Sequence, residues 1–249
     1  RNSGYAGKKI LAFLMIPAWN KGMDKELALK IAGEGNAEYV TNSSHYLAEP
    51  EYDAIMGKIR YYGFDAANDN VGVVYVPTYL NGNDGIFGVK YYDLLIGLDL
   101  TVFPSYYEPW GYTPLESLAF KVPTVTTSLA GFGVWVRDYY SGNHPGIEII
   151  ERNDANYDAV VGKVMERIVG VAALEERDLN NYRNNAQEVS GIALWKNNVK
   201  YYKEAYAAAL RKVVERNGAF PLVKESEQMT FHKFKVNSPE WRTLLINKD

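Results

Sequence analysis

Two glutamates, Glu108 and Glu116, stand eight positions apart in the densest segment of the sequence, FPSYYEPWGYTPLESLAF at residues 103–120. An apolar strand is predicted to end at Phe103, a turn rich in Pro and Gly follows, and a helix is predicted to begin near Pro114. Thr113, Pro114 and Glu116 have the order of a capping box, with Thr113 as N-cap, Pro114 as the first helical residue and Glu116 as the third. Capping alone would account for Thr113 and Glu116. The same geometry has a second use. A helix N-terminus at the C-terminal end of a parallel strand presents free N–H groups and the positive end of the helix dipole. Ligands of open α/β sheets bind at that edge. A phosphate or diphosphate there would meet the amides of Tyr112 to Leu115 and the Thr113 hydroxyl. Glu108 lies in the turn, and a carboxylate so near an anion site needs a partner of its own. Sugar hydroxyls or a developing positive charge would serve; an isolated surface glutamate is the plain alternative.

The elements that must hold this turn are legible as patterns. Residues 8–17 (KKILAFLMIP) form a near-continuous apolar run closed by proline, which predicts a buried strand of a parallel sheet. Similar runs recur at residues 71–77, 98–104, 122–127 and 146–150. Segments of helical spacing lie between them, at residues 23–34, 51–62, 91–97 and 114–120. Strands alternating with helices indicate βαβ units and a sheet covered on both faces. The last hundred residues read as helices. Tyr157, Val160, Val161, Val164, Met165, Ile168 and Val169 mark one face; Leu179, Tyr182, Ala186 and Val189 a second; Trp195, Val199, Tyr202, Tyr206, Leu210 and Val213 a third. Gly218 and Pro221 are expected to end the last helix. The glycine-rich LAGFG at residues 129–133 reads as a second close-approach loop or a plain turn.

Composition removes several function classes. The 249 residues are 47% hydrophobic and 23% charged, ordinary globular values. A net charge of −3 argues against a dominant nucleic-acid or anionic-membrane surface. With no cysteine there is no disulfide and no thiolate chemistry. The three histidines (His45, His144, His232) are scattered, so a histidine metal site is not expected. No apolar run approaches the length of a membrane span. The first residue is Arg1, which suggests a piece of a longer product. His45 is expected to be a hydrogen-bonded loop residue, Asp84 and Gly85 a turn, and Met15, Met56 and Met165 core. The unusual figure is 14% aromatic residues, with 20 tyrosines, half of them in five Tyr-Tyr pairs.

The block FPSYYEPWGYTPLES, followed by VPTVTTSLAGFG at residues 122–133, resembles the signature of the glycogen synthases of the fungal, animal and Bacteroidetes type. Glu108 and Glu116 match the E-x7-E motif of retaining glycosyltransferases with the GT-B fold. KKILAFLMIPA near the start and LWKNNVKYY at residues 194–202 extend the resemblance. It implies a Rossmann-like, doubly wound parallel sheet, the C-terminal half of a GT-B fold, with extra C-terminal helices. Residues 1–170 would be the donor-binding domain, without its first βα unit. Residues 171–249 would pack on it or on an N-terminal GT-B domain.

The resemblance also implies roles. Glu108 would contact the donor glucose and support an oxocarbenium-like transition state. Amides near Trp110 and Gly111 would hold glucose hydroxyls. Tyr112 and Thr113 would take the diphosphate, Glu116 the ribose hydroxyls, and Tyr91 the base, with Tyr79 flanking it. The donor would be UDP-glucose or ADP-glucose and the acceptor glycogen or another α-1,4-glucan. No metal or other cofactor is implied. A homo-oligomer, a cytoplasmic location and the absence of nucleic-acid or membrane partners are expected. Two departures stand out. The family's Arg and Lys pair at the end of the domain's first strand has no match here, so the fragment alone is expected to bind donor weakly and not to turn over. The stretch corresponding to the eukaryotic arginine-rich regulatory helix reads EERDLNNYR (residues 175–183), which implies no activation by glucose 6-phosphate. The alternatives are another retaining GT-B transferase and a non-catalytic glucan- or nucleotide-binding protein.

Overall fold

The computed structural model describes residues 8–36, 38–64 and 70–215. The chain divides into two compact units, Arg1–Leu194 and Trp195–Asp249. The first is an α/β unit. Its strands are β1 (Ile10–Met15), β2 (Asn20–Met23), β3 (His45–Leu47), β4 (Val71–Val76), β5 (Thr101–Val102), β6 (Thr124–Thr127) and β7 (Ile147–Ile150). Its helices are α1 (Lys25–Ile31), α2 (Ala54–Tyr61), α3 (Tyr91–Leu95), α4 (Tyr112–Ala119), α5 (Gly131–Tyr140), α6 (Tyr157–Ala173) and α7 (Glu176–Ile192). In the second unit the described residues form one helix, α8 (Trp195–Glu215), along which the rings of Trp195 and Tyr202 meet at 4.7 Å. Gly218, Pro221, His232 and the tail at 219–249 lie outside the described residues.

All five expected strands are present and parallel. β1 pairs with β4, from Ile10 opposite Val71 to Met15 opposite Val76. β5, β6 and β7 form a second parallel sheet in that order. A strand covered by crossover helices on both faces needs no alternation of apolar and polar residues. β6 shows this most clearly, since all four residues of TVTT are buried. Two of its three threonine hydroxyls find partners: Thr124 lies 2.9 Å from the Thr101 hydroxyl oxygen, and Thr127 donates to the Ser105 carbonyl. The short antiparallel pair of β2 and β3 was not anticipated. Three residues of strand carry too little alternation to be recognised in sequence.

Three apolar clusters hold the unit. Leu47, Ile59 and Tyr75 pack α2 onto the β1–β4 sheet. Val125, Ile150 and Val160 seat α6 on the three-stranded sheet. Leu118, Phe132, Val136, Ile147, Ile149, Ala186 and Val189 join α4, α5, β7 and α7. A Cβ at Gly146 would run into the backbone of Ala186, so glycine there lets α7 come close to the start of β7. Two smaller expectations need correction. Met165 is 59% exposed on α6 rather than core, because that helix buries Val160 and Val171 and turns Val161 and Met165 outward. His45 lies on β3 rather than in a loop. It is buried, and its ring bonds the Ser44 hydroxyl and the Asp84 carbonyl, each at 2.9 Å. Asp84 does make a turn, its Oδ1 accepting from the Ile86 and Phe87 amides.

Candidate active site at the carboxyl edge of the three-stranded sheet

The segment from β5 to α4 leaves the sheet at Phe103, whose N–H still reaches the Val125 carbonyl at 2.8 Å. The turn that follows is fixed at both ends. The Thr127 hydroxyl donates to the Ser105 carbonyl at 2.7 Å. Farther on, the Glu108 N–H donates to Leu129, and the Glu108 and Trp110 carbonyls accept from the amides of Gly131 and Phe132. These are the first two residues of α5, so LAGFG is the entry to a ten-residue helix and not a plain turn. A Cβ at Gly131 would overlap the Pro109 carbonyl oxygen, so glycine is required for this close approach. The Trp110 ring packs against Phe132 and Trp135, with centroids 5.6 and 5.5 Å away. The indole is thus engaged in packing, and the Trp110 carbonyl is taken by Phe132.

The helix start differs from the capping-box expectation. The N-cap of α4 is Gly111, at φ 106 and ψ 76, and Thr113 is the second helical residue. The left-handed conformation of Gly111 lets the chain enter the helix two residues early, so no threonine cap is formed. Thr113 and Tyr112 are exposed, and their amides have no backbone acceptor among the described residues. These are two of the orphan donors that every helix N-terminus carries. Glu108 is half-buried beside Gly111, its Cγ within 3.4 Å of where a Cβ on that glycine would lie. Among the described residues its carboxylate has no ion-pair partner.

Glu116 is not part of a cap either. It lies one turn into α4, where its Oε1 accepts a 2.7 Å hydrogen bond from the Tyr92 hydroxyl. Tyr92 stacks on Phe120 at 5.2 Å and 15°. The negative charge of Glu116, through this hydrogen bond first, raises the Tyr92 pKa. Neighbouring Tyr91 is half-buried, and burial, then Glu116, pushes its phenol up. Tyr79 is 76% exposed in the loop beyond β4. The Leu80 carbonyl accepts from the Tyr91 N–H at 3.0 Å, so this loop closes onto α3 and brings Tyr79 and Tyr91 onto adjoining backbone.

Thus Glu108, Trp110, Gly111, Tyr112, Thr113 and Glu116 share one turn and helix, and α3 reaches the same helix through Tyr92. Tyr92 was not singled out from the sequence. The clue available was its place in a Tyr-Tyr pair whose other member was a candidate. Along α7, Arg183 is paired with Asp99 at 2.7 Å. Among the described residues no group of three His, Asp or Glu side chains is placed to hold a metal ion, and no helix is long and apolar enough to cross a membrane.

The family model for glycogen synthase matches residues 27–242, most of the chain. The chain belongs to the glycogen synthase family. Glycogen (starch) synthase isoform 2 of Saccharomyces cerevisiae is 34% identical over 173 residues, which cover 68% of this chain and 24% of the yeast protein. The liver glycogen (starch) synthase of Mus musculus is 32% identical over 165 residues, 66% of this chain and 23% of its own. The chain therefore spans about a quarter of the length of these relatives. A solved structure of WaaG, a glycosyltransferase involved in lipopolysaccharide biosynthesis, aligns over 76% of this chain and 44% of its own at 16% identity, with a TM-score of 0.37. That likeness is too slight to bear on fold or site.

Proposed function

We propose that this chain is the donor-binding part of a retaining GT-B glucosyltransferase that extends an α-1,4-glucan at its non-reducing end. The observation that carries the reading is the turn at the carboxyl edge of the sheet, where a Glu108 carboxylate with no ion-pair partner among the described residues stands beside the open N-terminus of α4. A nucleoside diphosphate places two unlike demands on a site. Its phosphates need donors and positive potential, which the Tyr112 and Thr113 amides and the α4 dipole supply. Its sugar carries the reacting carbon, where positive charge develops as the glycosidic bond to phosphate breaks. A carboxylate held in a water-poor cleft stabilises that charge more than it could in bulk water. Glu108 has this part, and the Trp110 and Gly111 amides orient glucose hydroxyls.

Glu116 takes the ribose hydroxyls with Oε2, since Tyr92 occupies Oε1. Tyr91 packs on the base, and Tyr79 closes over its other face. Protein groups neutralise the diphosphate without a metal. The acceptor is glycogen or a related glucan, and the protein works in the cytoplasm; both come with the resemblance.

The test is an initial-rate assay of the full-length protein with UDP-glucose and with ADP-glucose on an α-1,4-glucan, with the anomeric outcome read by NMR. Transfer with retention is expected from one of the two donors. E108Q should lower kcat by about 10³-fold, as for loss of a group that stabilises transition-state charge. Binding of donor without transfer would favour a non-catalytic binder, and transfer to a different acceptor another transferase.

A further inference from the structure

Arg152 lies two residues beyond β7 and is only 5% exposed. Its backbone N–H donates to the Ser128 hydroxyl at 2.9 Å, just past β6. Its Nη1 donates to the Pro104 carbonyl at 2.6 Å, just past β5. Its guanidinium carbon stands 3.5 Å from the centroid of the Tyr106 ring. One residue thereby ties together the carboxyl ends of all three strands beneath the candidate site. Among the described residues no carboxylate pairs with it, and its Nε is buried without a hydrogen-bond partner. The adjacent Glu151 pairs with Arg137 instead.

A buried guanidinium without a counter-charge is a costly way to fill space, and an apolar side chain of similar volume would do so more cheaply. Two properties are peculiar to arginine here. Its guanidinium lies over an aromatic ring and at the same time donates to a carbonyl. The first is directed at Tyr106, which lies between the residues that other contacts hold. Ser105 is held by Thr127, and Glu108 by Leu129 and Gly131. Tyr106 and Tyr107, between them, are 57% and 79% exposed. Arg152 holds this stretch by the Tyr106 ring and also holds Pro104, on the other side of Ser105.

We propose that Arg152 is a positioning residue that fixes the Pro104–Tyr106 limb of the turn and so aims the Glu108 carboxylate. The proposal rests on the role given above to Glu108. It is tested with R152M and R152K in the full-length protein, by steady-state kinetics with nucleotide-glucose and glucan and by crystal structures. R152M should lose about 10²-fold in kcat, the scale of a misplacement of about 1 Å, with donor KM within about threefold of the parent. R152K, which keeps the charge but not the plane, should lose nearly as much. The double variant R152M/Y106L should fall no further than R152M, because the two residues share one contact.

An unchanged kcat, a wild-type kcat in R152K, or a rise confined to donor KM would overturn the proposal, the last by making Arg152 a donor contact. Where R152M does not fold, R152K carries the test. Should the parent protein transfer no glucose, the functional reading fails on its own account. The structures then decide: displacement of Tyr106 to Glu108 in the variant supports the positioning role, and superimposable turns refute it.

Discussion

α4 and α5 begin alike. Each follows a parallel strand of the same sheet, each starts near a glycine that stands close to the backbone or side chain of the 104–111 turn, and each carries the positive end of a helix dipole. They spend that resource differently. The first two amides of α5 are bound to the Glu108 and Trp110 carbonyls, so the helix works as a clamp on the turn. The first two amides of α4 meet no backbone acceptor among the described residues, and its N-terminus opens beside Glu108. A helix N-terminus is thus not a ligand site by itself. What distinguishes the two is whether neighbouring carbonyls have already consumed the donors.

Substitutions at the two glycines should separate clamp from site. G131A would drive a methyl group into the Pro109 carbonyl, so it should cost roughly 3 kcal/mol of stability in chemical denaturation, the upper range for an overpacked position. It should also depress kcat, because the clamp positions Glu108. G111A meets no backbone within 3.4 Å but must hold φ 106, so it should cost about 1–2 kcal/mol. Its kinetic effect should appear mainly in donor KM. If G111A proves the more destabilising of the two, the assignment of clamp and site is reversed. The smallest effect is expected from Y92F, which frees Glu116 without disturbing the Phe120 stack. Donor KM should rise about threefold at constant kcat, as suits one solvent-exposed hydrogen bond to a carboxylate. A fall in kcat instead would place Glu116 nearer the chemistry than the ribose.

Strand and helix content was readable because strands buried between crossover helices are written as apolar runs, and long helices as stripes. The turn at residues 104–111 was readable because Pro, Gly and two glutamates crowd into it. The parts not legible depend on partners distant in sequence. Gly111 rather than Thr113 became the N-cap because a left-handed glycine offers an earlier entry, and spacing alone does not rank the two. α5 was hidden because its first turn carries two glycines, poor helix formers; Gly131 allows backbone contact with Pro109 and Trp110, and Gly133 close approach to Thr126 and Thr127. For the same reason Tyr92 and Arg152 were not singled out: each is defined by what it touches, 24 residues away in one case and 48 in the other.

The central claim is that α4 is the open terminus and α5 the closed one. Amide hydrogen exchange of the full-length protein, with and without nucleotide-glucose, tests it most directly. The account predicts that Gly131 and Phe132 are protected from the outset and unchanged by the donor, whereas Tyr112 and Thr113 exchange freely and become protected when it binds. Donor binding that leaves Tyr112 and Thr113 exchanging as before would contradict it.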